Sequence, residues 1–478
     1  MAYLVLEDFA AGIDLRRDML TAPPGTLRTL TNAFVNAGGE IEKRKTLTGI
    51  GTLPTGTTHG LAASGAGLVV FGTVSPGAVG TLPDEVTYQE LDEAGDGETI
   101  DKIIDVESFG TSLYVVALFT DGEYRHFLDG TRIDPLDVAG TNVRAHKSKM
   151  YSCDERNLRF SAVLDAADWT TAAGNGIIDL NSQDTGDVNL VGMEEYYGSL
   201  ALFARNQVQI WIMDADPVQN NKQQTLGNIG LIGPHAAARY GNGDVLFLSD
   251  TGIRSLRARN SSNAAVLSDL GSPVDALVKT LRDTLTPEAA QEIRAIVDPL
   301  SGHFWLVWGT QIIVLAQYLN SKITAWSTFQ LATAPEYVVV AGSRIAMRQG
   351  EELVVYGGVA SGTNPFDFNV PVNQGTPHGS EVVEVVTPFL DLDKPATTKK
   401  WDGIDIAAIG TWEVQVNPDP NREDEWLTVA RITRSTFYEE RIPLDMESTH
   451  IALRLLSSGS GEAKLMSLAV HAEGGDEG

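Results

Sequence analysis

The stretch Ile103-Ile104-Asp105-Val106-Glu107-Ser108-Phe109, Gly110-Thr111-Ser112, Leu113-Tyr114-Val115-Val116-Ala117-Leu118-Phe119, Thr120-Asp121-Gly122-Glu123, Tyr124-Arg125-His126-Phe127-Leu128 decides the fold. Three runs rich in β-branched and aromatic residues alternate with short turns. Such residues favour a pleated backbone, and Gly110 and Gly122 reach positive φ without a Cβ clash. The same grammar returns at Val188–Met213, Ala236–Ala258 and Ile293–Gln317, with weaker copies at Val143–Ser161 and Tyr337–Val355. Small sheets recurring every 40–50 residues or so cannot each bury an apolar face alone, so they stack around an axis as propeller blades. The chain therefore reads as all-β: a β-propeller of about six or seven blades over 59–359, with meandering sandwich sheets as the competing architecture.

Asp275–Arg294 interrupts the pattern. Pro273 can open a helix, Val274, Leu277, Val278 and Leu281 fall at helical spacing, and Pro287 can start a second short helix. A short helical insertion between blades is expected. Residues 360–380 have the Gly and Pro content of a linker. Strand-like runs at Val382–Val386, Gly403–Ala407, Trp412–Val416, Trp426–Ile432, Phe437–Ile442, Ile451–Leu456 and Lys464–His471 then alternate with period two, predicting a β-sandwich over 381–472. Residues 473–478 form a flexible acidic tail. Residues 1–58 read as an extended leader carrying one hairpin, Asn32–Asn36 and Ile41–Arg44 around Gly38-Gly39.

The 478 residues hold 63 Asp+Glu and 35 Lys+Arg, a formal charge of −28. A chain so acidic repels DNA phosphates and anionic lipid, which excludes a general nucleic-acid gripper. One cysteine, Cys153, excludes internal disulfides and Cys-based zinc sites. The first twenty residues lack the basic-then-apolar order of a signal peptide, and no apolar run approaches the ~20 residues of a membrane span. The expectation is a chain made and folded in a cytoplasm, with no membrane-spanning segment.

Catalytic signals are sparse. No P-loop, dinucleotide fingerprint, zinc-protease helix or nucleophile elbow occurs. The eight histidines lie far apart, so no metal or cofactor is expected. Asp214 with Asp216, or Asp391 with Asp393, have the carboxylate chemistry of glycosidases, but acids at this spacing usually serve turns. Ser249-Asp250-Thr251-Gly252 partly resembles the Asp-box turn of sialidase propellers, a structural motif. The eight tryptophans sit mostly in strand patterns, where core packing is expected. Ten carboxylates between Asp84 and Glu107 (Asp84, Glu85, Glu90, Asp92, Glu93, Asp96, Glu98, Asp101, Asp105, Glu107) face one base, Lys102; such a block belongs on a solvated loop or a surface facing another polyanion. Lys43-Arg44-Lys45 reads as a docking contact for an acidic partner or subunit.

The leader carries a resemblance. Phe9-Ala10-Ala11-Gly12-Ile13-Asp14-Leu15-Arg16, then Ala22-Pro23-Pro24-Gly25-Thr26-Leu27, Leu30-Thr31-Asn32-Ala33 and Gly39-Glu40-Ile41-Glu42-Lys43-Arg44, resembles the opening of tail nozzle or hub proteins of short-tailed bacteriophages, also called tail tubular protein B or packaged-DNA stabilisation protein. Ala11 replaces a second Gly of that pattern, and Lys45-Thr46 stands where the hairpin often ends in Pro-Gly. The resemblance spans about a tenth of the chain. It implies a non-enzymatic virion protein forming a homohexameric ring beneath a head-to-tail adaptor. Tail fibres or tailspikes and a needle or plug would be its further partners, with double-stranded DNA passing through unread. Interaction residues carried over on that basis are Gly12, Asp14, Arg16, Pro23, Pro24, Gly25, Asn32, Gly39, Lys43 and Arg44, while Asp84, Glu85, Glu90, Asp92, Glu93, Asp96 and Glu98 are candidates for an acidic channel lining. A glycan-binding or glycan-cleaving propeller and a monomeric protein-binding propeller platform are the alternatives.

Overall fold

The computed structural model describes the chain except residues 1, 66, 85, 94, 96, 134–139, 171–173, 184–187, 242, 259–264, 358–377, 434–435, 437–440 and 474–478. Glu85, Asp96, most of the expected linker and nearly all of the tail lie outside the described residues.

Seven blades form the propeller, six as separate small sheets and one as four strands of a larger sheet. Their innermost strands are His59–Ser64, Ile100–Phe109, Asn142–His146, Leu190–Tyr196, Ala237–Tyr240, Arg294–Val297 and Tyr337–Ala341, in blades one to seven. Each packs beside the next around the axis, and the seventh meets the first. The ring is closed. Second strands of blades are covered on both faces by neighbouring blades, so they read as unbroken apolar runs instead of alternating. Tyr114, Val115, Val116 and Ala117 in blade two, and Val245, Leu246, Phe247 and Leu248 in blade five, are buried to the last square ångström.

Two blades depart from a simple meander. In blade one, Val86–Glu90 runs parallel to Gly67–Gly72. In blade seven the outermost strand is Leu47–Thr52, which pairs antiparallel with Glu352–Tyr356. The propeller thus begins before residue 58, because a strand from the N-terminal side closes the ring against its last blade. The expected insertion is present as α1 (Asp275–Arg282) and α2 (Pro287–Ala290); Thr286 caps α2 by accepting a bond from the Ala289 amide at 3.2 Å.

The C-terminal strands build two sheets around Trp401, Ile404, Val414, Leu455 and Val470. Their strands follow the expected runs where these are described; the expected run Phe437–Ile442 lies mostly outside the described residues, and the strand that follows it is Ile442–Ser448. The leader belongs to both bodies. Ala2–Leu6, Ala33–Val35 and Ile41–Lys43 extend one sandwich sheet, and Thr29–Thr31 lies parallel to blade six at Thr328 and antiparallel to Val383–Val386. Blade six and the second sandwich sheet are thereby one continuous nine-stranded sheet.

Candidate functional site

Several of the residues that carry the resemblance, Gly12, Asn32, Lys43 and Arg44, lie at this weld, and the others shape the leader that reaches it. Gly12 has φ +56, and any Cβ there would run into the backbone of Trp326, whose carbonyl accepts the Ile13 amide at 2.8 Å. Pro23-Pro24-Gly25-Thr26 is a tight turn with Gly25 at φ +88 and the Thr26 amide on the Pro23 carbonyl, the geometry that asks for Pro then Gly. Asp14 accepts both a ring of bonds from Arg16 and its backbone amide, which holds the carboxyl below its usual range. Gly39, at φ +82, turns the hairpin and accepts the Phe9 amide. Asn32, also left-handed at φ +56, is bonded to Arg44, Gln330 and Val382, which come from hairpin, blade six and sandwich.

Lys43 and Arg44 are 1% and 2% exposed. Lys43 Nζ donates to the carbonyls of Gly379 and Gly459, and burial lowers its pKa. Arg44 donates to Asn32, Lys45 and Gln330, faces Glu381 at 3.3 Å and lies over the Phe329 ring. The expected docking contact is therefore not made by these two heads: a basic pair seen in sequence is an internal clamp. The sequence could not show it, since all but one of the carbonyls they satisfy come from more than 280 positions away.

A second cluster occupies the propeller axis. Asp105 accepts Asn142 Nδ2 at 3.1 Å and the Val143 amide at 2.9 Å. Arg144 bridges Glu107 at 3.1 Å and Glu194 at 3.2 Å, so three successive blades are tied inside the lumen. His235 donates across to the Ile104 carbonyl at 3.0 Å, with its Nδ1 3.8 Å from Asp105. Tyr337 of blade seven accepts the Ile103 amide, and Lys102 pairs with Glu292 beyond α2. Burial pushes Asp105 up and Glu107 up to about 7, against the pull of Arg144. It pushes His235 well down, helped by Arg294 and Arg144. Burial also works against the Arg144 charge, but Glu194, Glu107 and Asp105 more than restore it. Contacts between opposite walls cross this lumen, which leaves no passage as wide as a DNA duplex through one propeller.

The acidic block divides. Asp84, Glu90 and Asp92 are exposed on the outer side of blade one, Glu93 accepts the Gly97 amide, and Glu98 accepts the Thr120 hydroxyl. Among its described members, the last two, Asp105 and Glu107, reach the axis. Above them, where the innermost strands begin, three clefts of about 630, 380 and 490 Å³ meet at Thr141, walled partly by α2.

Other sequence candidates resolve into turns. The Asp216 amide donates to Asp214, and the Asp393 amide to Asp391. In the Ser249–Gly252 hairpin it is Ser249, not Asp250, whose side chain receives the turn amide, from Thr251. Trp305, Trp326, Trp401 and Trp412 are buried core side chains. Among the described residues no three His, Cys, Asp or Glu side chains are grouped to hold a metal, and no helix is long and apolar enough to cross a membrane.

No family model and no curated protein matches the chain. Solved structures with some likeness include YCF48 bound to D1 peptide, at 11% identity and TM-score 0.36, covering 68% of this chain and 98% of that one. The Neurospora crassa Pan2 WD40 domain follows at 10% and 0.35, covering 66% and 96%. A putative 6-phosphogluconolactonase from Bacteroides uniformis gives 11% and 0.33, covering 64% and 89%. The propeller assignment rests on the strand pairing described above.

Proposed function

We propose that this protein is a structural subunit, a rigid propeller–sandwich block that works by docking other proteins and has no catalytic turnover. On its leader's resemblance, the assembly is a short-tailed phage nozzle or hub: a homohexameric ring on an adaptor, carrying fibres or tailspikes and a plug. One observation carries the proposal. Four of the leader residues that bear the resemblance, Gly12, Asn32, Lys43 and Arg44, lie where the leader joins blade six to the sandwich, so part of the motif and the two-body architecture go together. The crossed lumen of each propeller puts any DNA conduit on the ring axis between subunits. An acidic wall there lets a polyanion slide without the counterion release that traps it on a basic one.

Light scattering and negative-stain imaging of the purified chain, alone and with its adaptor, test this. A six-subunit ring in either condition is expected. A chain that stays single in both removes the nozzle. Release of reducing sugar from host polysaccharide, abolished by changing Asp105 or Glu107, would remove every non-enzymatic version.

A second reading, the monomeric protein-binding platform, is favoured by the three clefts joined at Thr141, a continuous recess across blades two to five. A single-chain mass with capture of a partner by that face supports it.

A further inference from the structure

Leu164 sits at φ +63, a left-handed conformation that strains any side chain with a β-carbon and that turns usually give to Gly or Asn. The residue is nonetheless 76% exposed, so among the described residues little packing offsets the strain. Val163, Ile177, Ile212 and Val218 are exposed around it, Val218 at 86%. They belong to adjoining ends of blades three and four: Gly174 lies against both Val163 and Ala215, and Lys147 reaches from blade three to the Met213 carbonyl at 2.8 Å. The exposed carboxylates of Asp165, Asp214 and Asp216 rim them. An apolar surface of this kind marks a contact.

On the same face, where the innermost strands end, but three blade positions further round, a cavity of about 360 Å³ opens between blades six and seven and the leader hairpin. Phe34, Tyr318, Ile345 and Tyr356 wall it. Leu300 lines its mouth, 46% exposed, and Leu319, next to Tyr318, is 77% exposed. Lys45 lines it too, and the exposed Lys322 stands in the adjoining turn. Two carboxylates also line it: Glu42, and Asp298, which is taken up by the Leu300 amide and the Ser301 hydroxyl of its own turn.

We propose that the Leu164 patch of one copy seats in this cavity of a second copy. An aliphatic knob with an acidic rim meets an aromatic-walled cavity flanked by lysines. The two surfaces differ and lie on nearly opposite sides of one face, so the contact is heterologous. It propagates head to tail into a ring or filament and cannot close as a two-fold dimer. This deepens the ring reading and rests on it for the choice of occupant.

Two variants test it, Leu164→Asp and Leu319→Asp, both at exposed positions, with thermal unfolding as the check on folding. Each alone is expected to run as a single chain at concentrations where the parent is multimeric. Mixed one to one, they should form a species of two chains and nothing larger, since each retains the surface the other lacks. Leu164→Gly should raise the unfolding temperature and weaken assembly, a split that a purely structural role for Leu164 would not produce. Variants that assemble like the parent, or a mixture that stays single while the parent is multimeric, overturn this contact and leave the ring reading standing. A parent that is single both alone and on its adaptor overturns the two together.

Discussion

Asn32 Oδ1 accepts two hydrogen bonds at 2.9 Å, from Arg44 Nε and from the Gln330 amide. Its Nδ2 donates to the Val382 carbonyl at 2.9 Å, so one short side chain joins three parts of the fold. Its φ of +56 is a conformation that Asn tolerates better than other residues with a β-carbon. Replacing Asn32 with Ala removes all three bonds, keeps the backbone strain and leaves a buried guanidinium short of an acceptor. A loss of about 2–4 kcal/mol in unfolding free energy is expected by denaturant titration. Asn32→Gly should cost less, because Gly removes the backbone part of the penalty. Equal losses in the two variants would show that φ plays no part.

Gly12 offers a stricter case. Its φ of +56 and its approach to the Trp326 backbone leave a Cβ nowhere to go, and the obstacle is main chain, which cannot swing aside. Gly12→Ala should cost about 3 kcal/mol or more. The leader should also detach from blade six, visible as faster amide exchange at Ile13 and Leu27, whose amides bond to Trp326 and Gly12. Unchanged exchange at both positions would contradict this account of the weld.

His303 sets an acid limit on stability. It is 3% exposed, bonds Tyr318 Oη at 2.9 Å, and burial holds its pKa down to about 4, Asp298 pulling weakly the other way. The unfolded chain binds a proton here below about 6.5, while the fold resists until about 4. Stability is therefore whole above 6.5 and lost as pH falls through that window. The interval corresponds to roughly 3 kcal/mol for this one group. His303→Gln keeps a polar partner for Tyr318 and should flatten the acid limb of the stability–pH curve; an unaltered limb would show that His303 does not titrate with unfolding.

The blades were legible because turn chemistry and apolar runs are local: Tyr124–Leu128 appears as a strand with the bounds its sequence predicts. So were the helices, from Pro273, Pro287 and the spacing of Leu277, Val278 and Leu281. What stayed hidden depends on partners far along the chain. Leu47–Thr52 has no local sign that it completes blade seven with a strand some 300 residues on. Lys43 and Arg44 look like surface charge until the carbonyls of Gly379, Gly459 and Gln330 are brought to them. The axial cluster was half visible. Asp105 and Glu107 closed the acidic block, but Arg144, Glu194 and His235 come from three further segments whose convergence only ring closure creates.

That convergence gives Glu107 the reverse pH behaviour of His303. Its side chain keeps 20% of its exposure, yet burial lifts its pKa to about 7, against the pull of Arg144 and with a push from Asp105. Between pH 4.5 and about 7 the fold holds a proton that the unfolded chain has released, so this group lowers stability as pH rises through that window. Glu107→Gln cannot titrate and can still accept from Arg144. The stability of the variant relative to the parent should therefore climb between pH 4.5 and 7 and level off above, by on the order of 1–3 kcal/mol. Arg144→Met acts oppositely: at pH 8 it leaves Glu107 and Glu194 facing each other without their cation. It should cost about 2–3 kcal/mol there, the value for a buried pair reduced for lumen water, and less at pH 5, where Glu107 is protonated. Paired denaturant titrations at the two pH values decide it, because a cost for Arg144→Met that is the same at pH 5 and pH 8 means that Glu107 is not the group it neutralises.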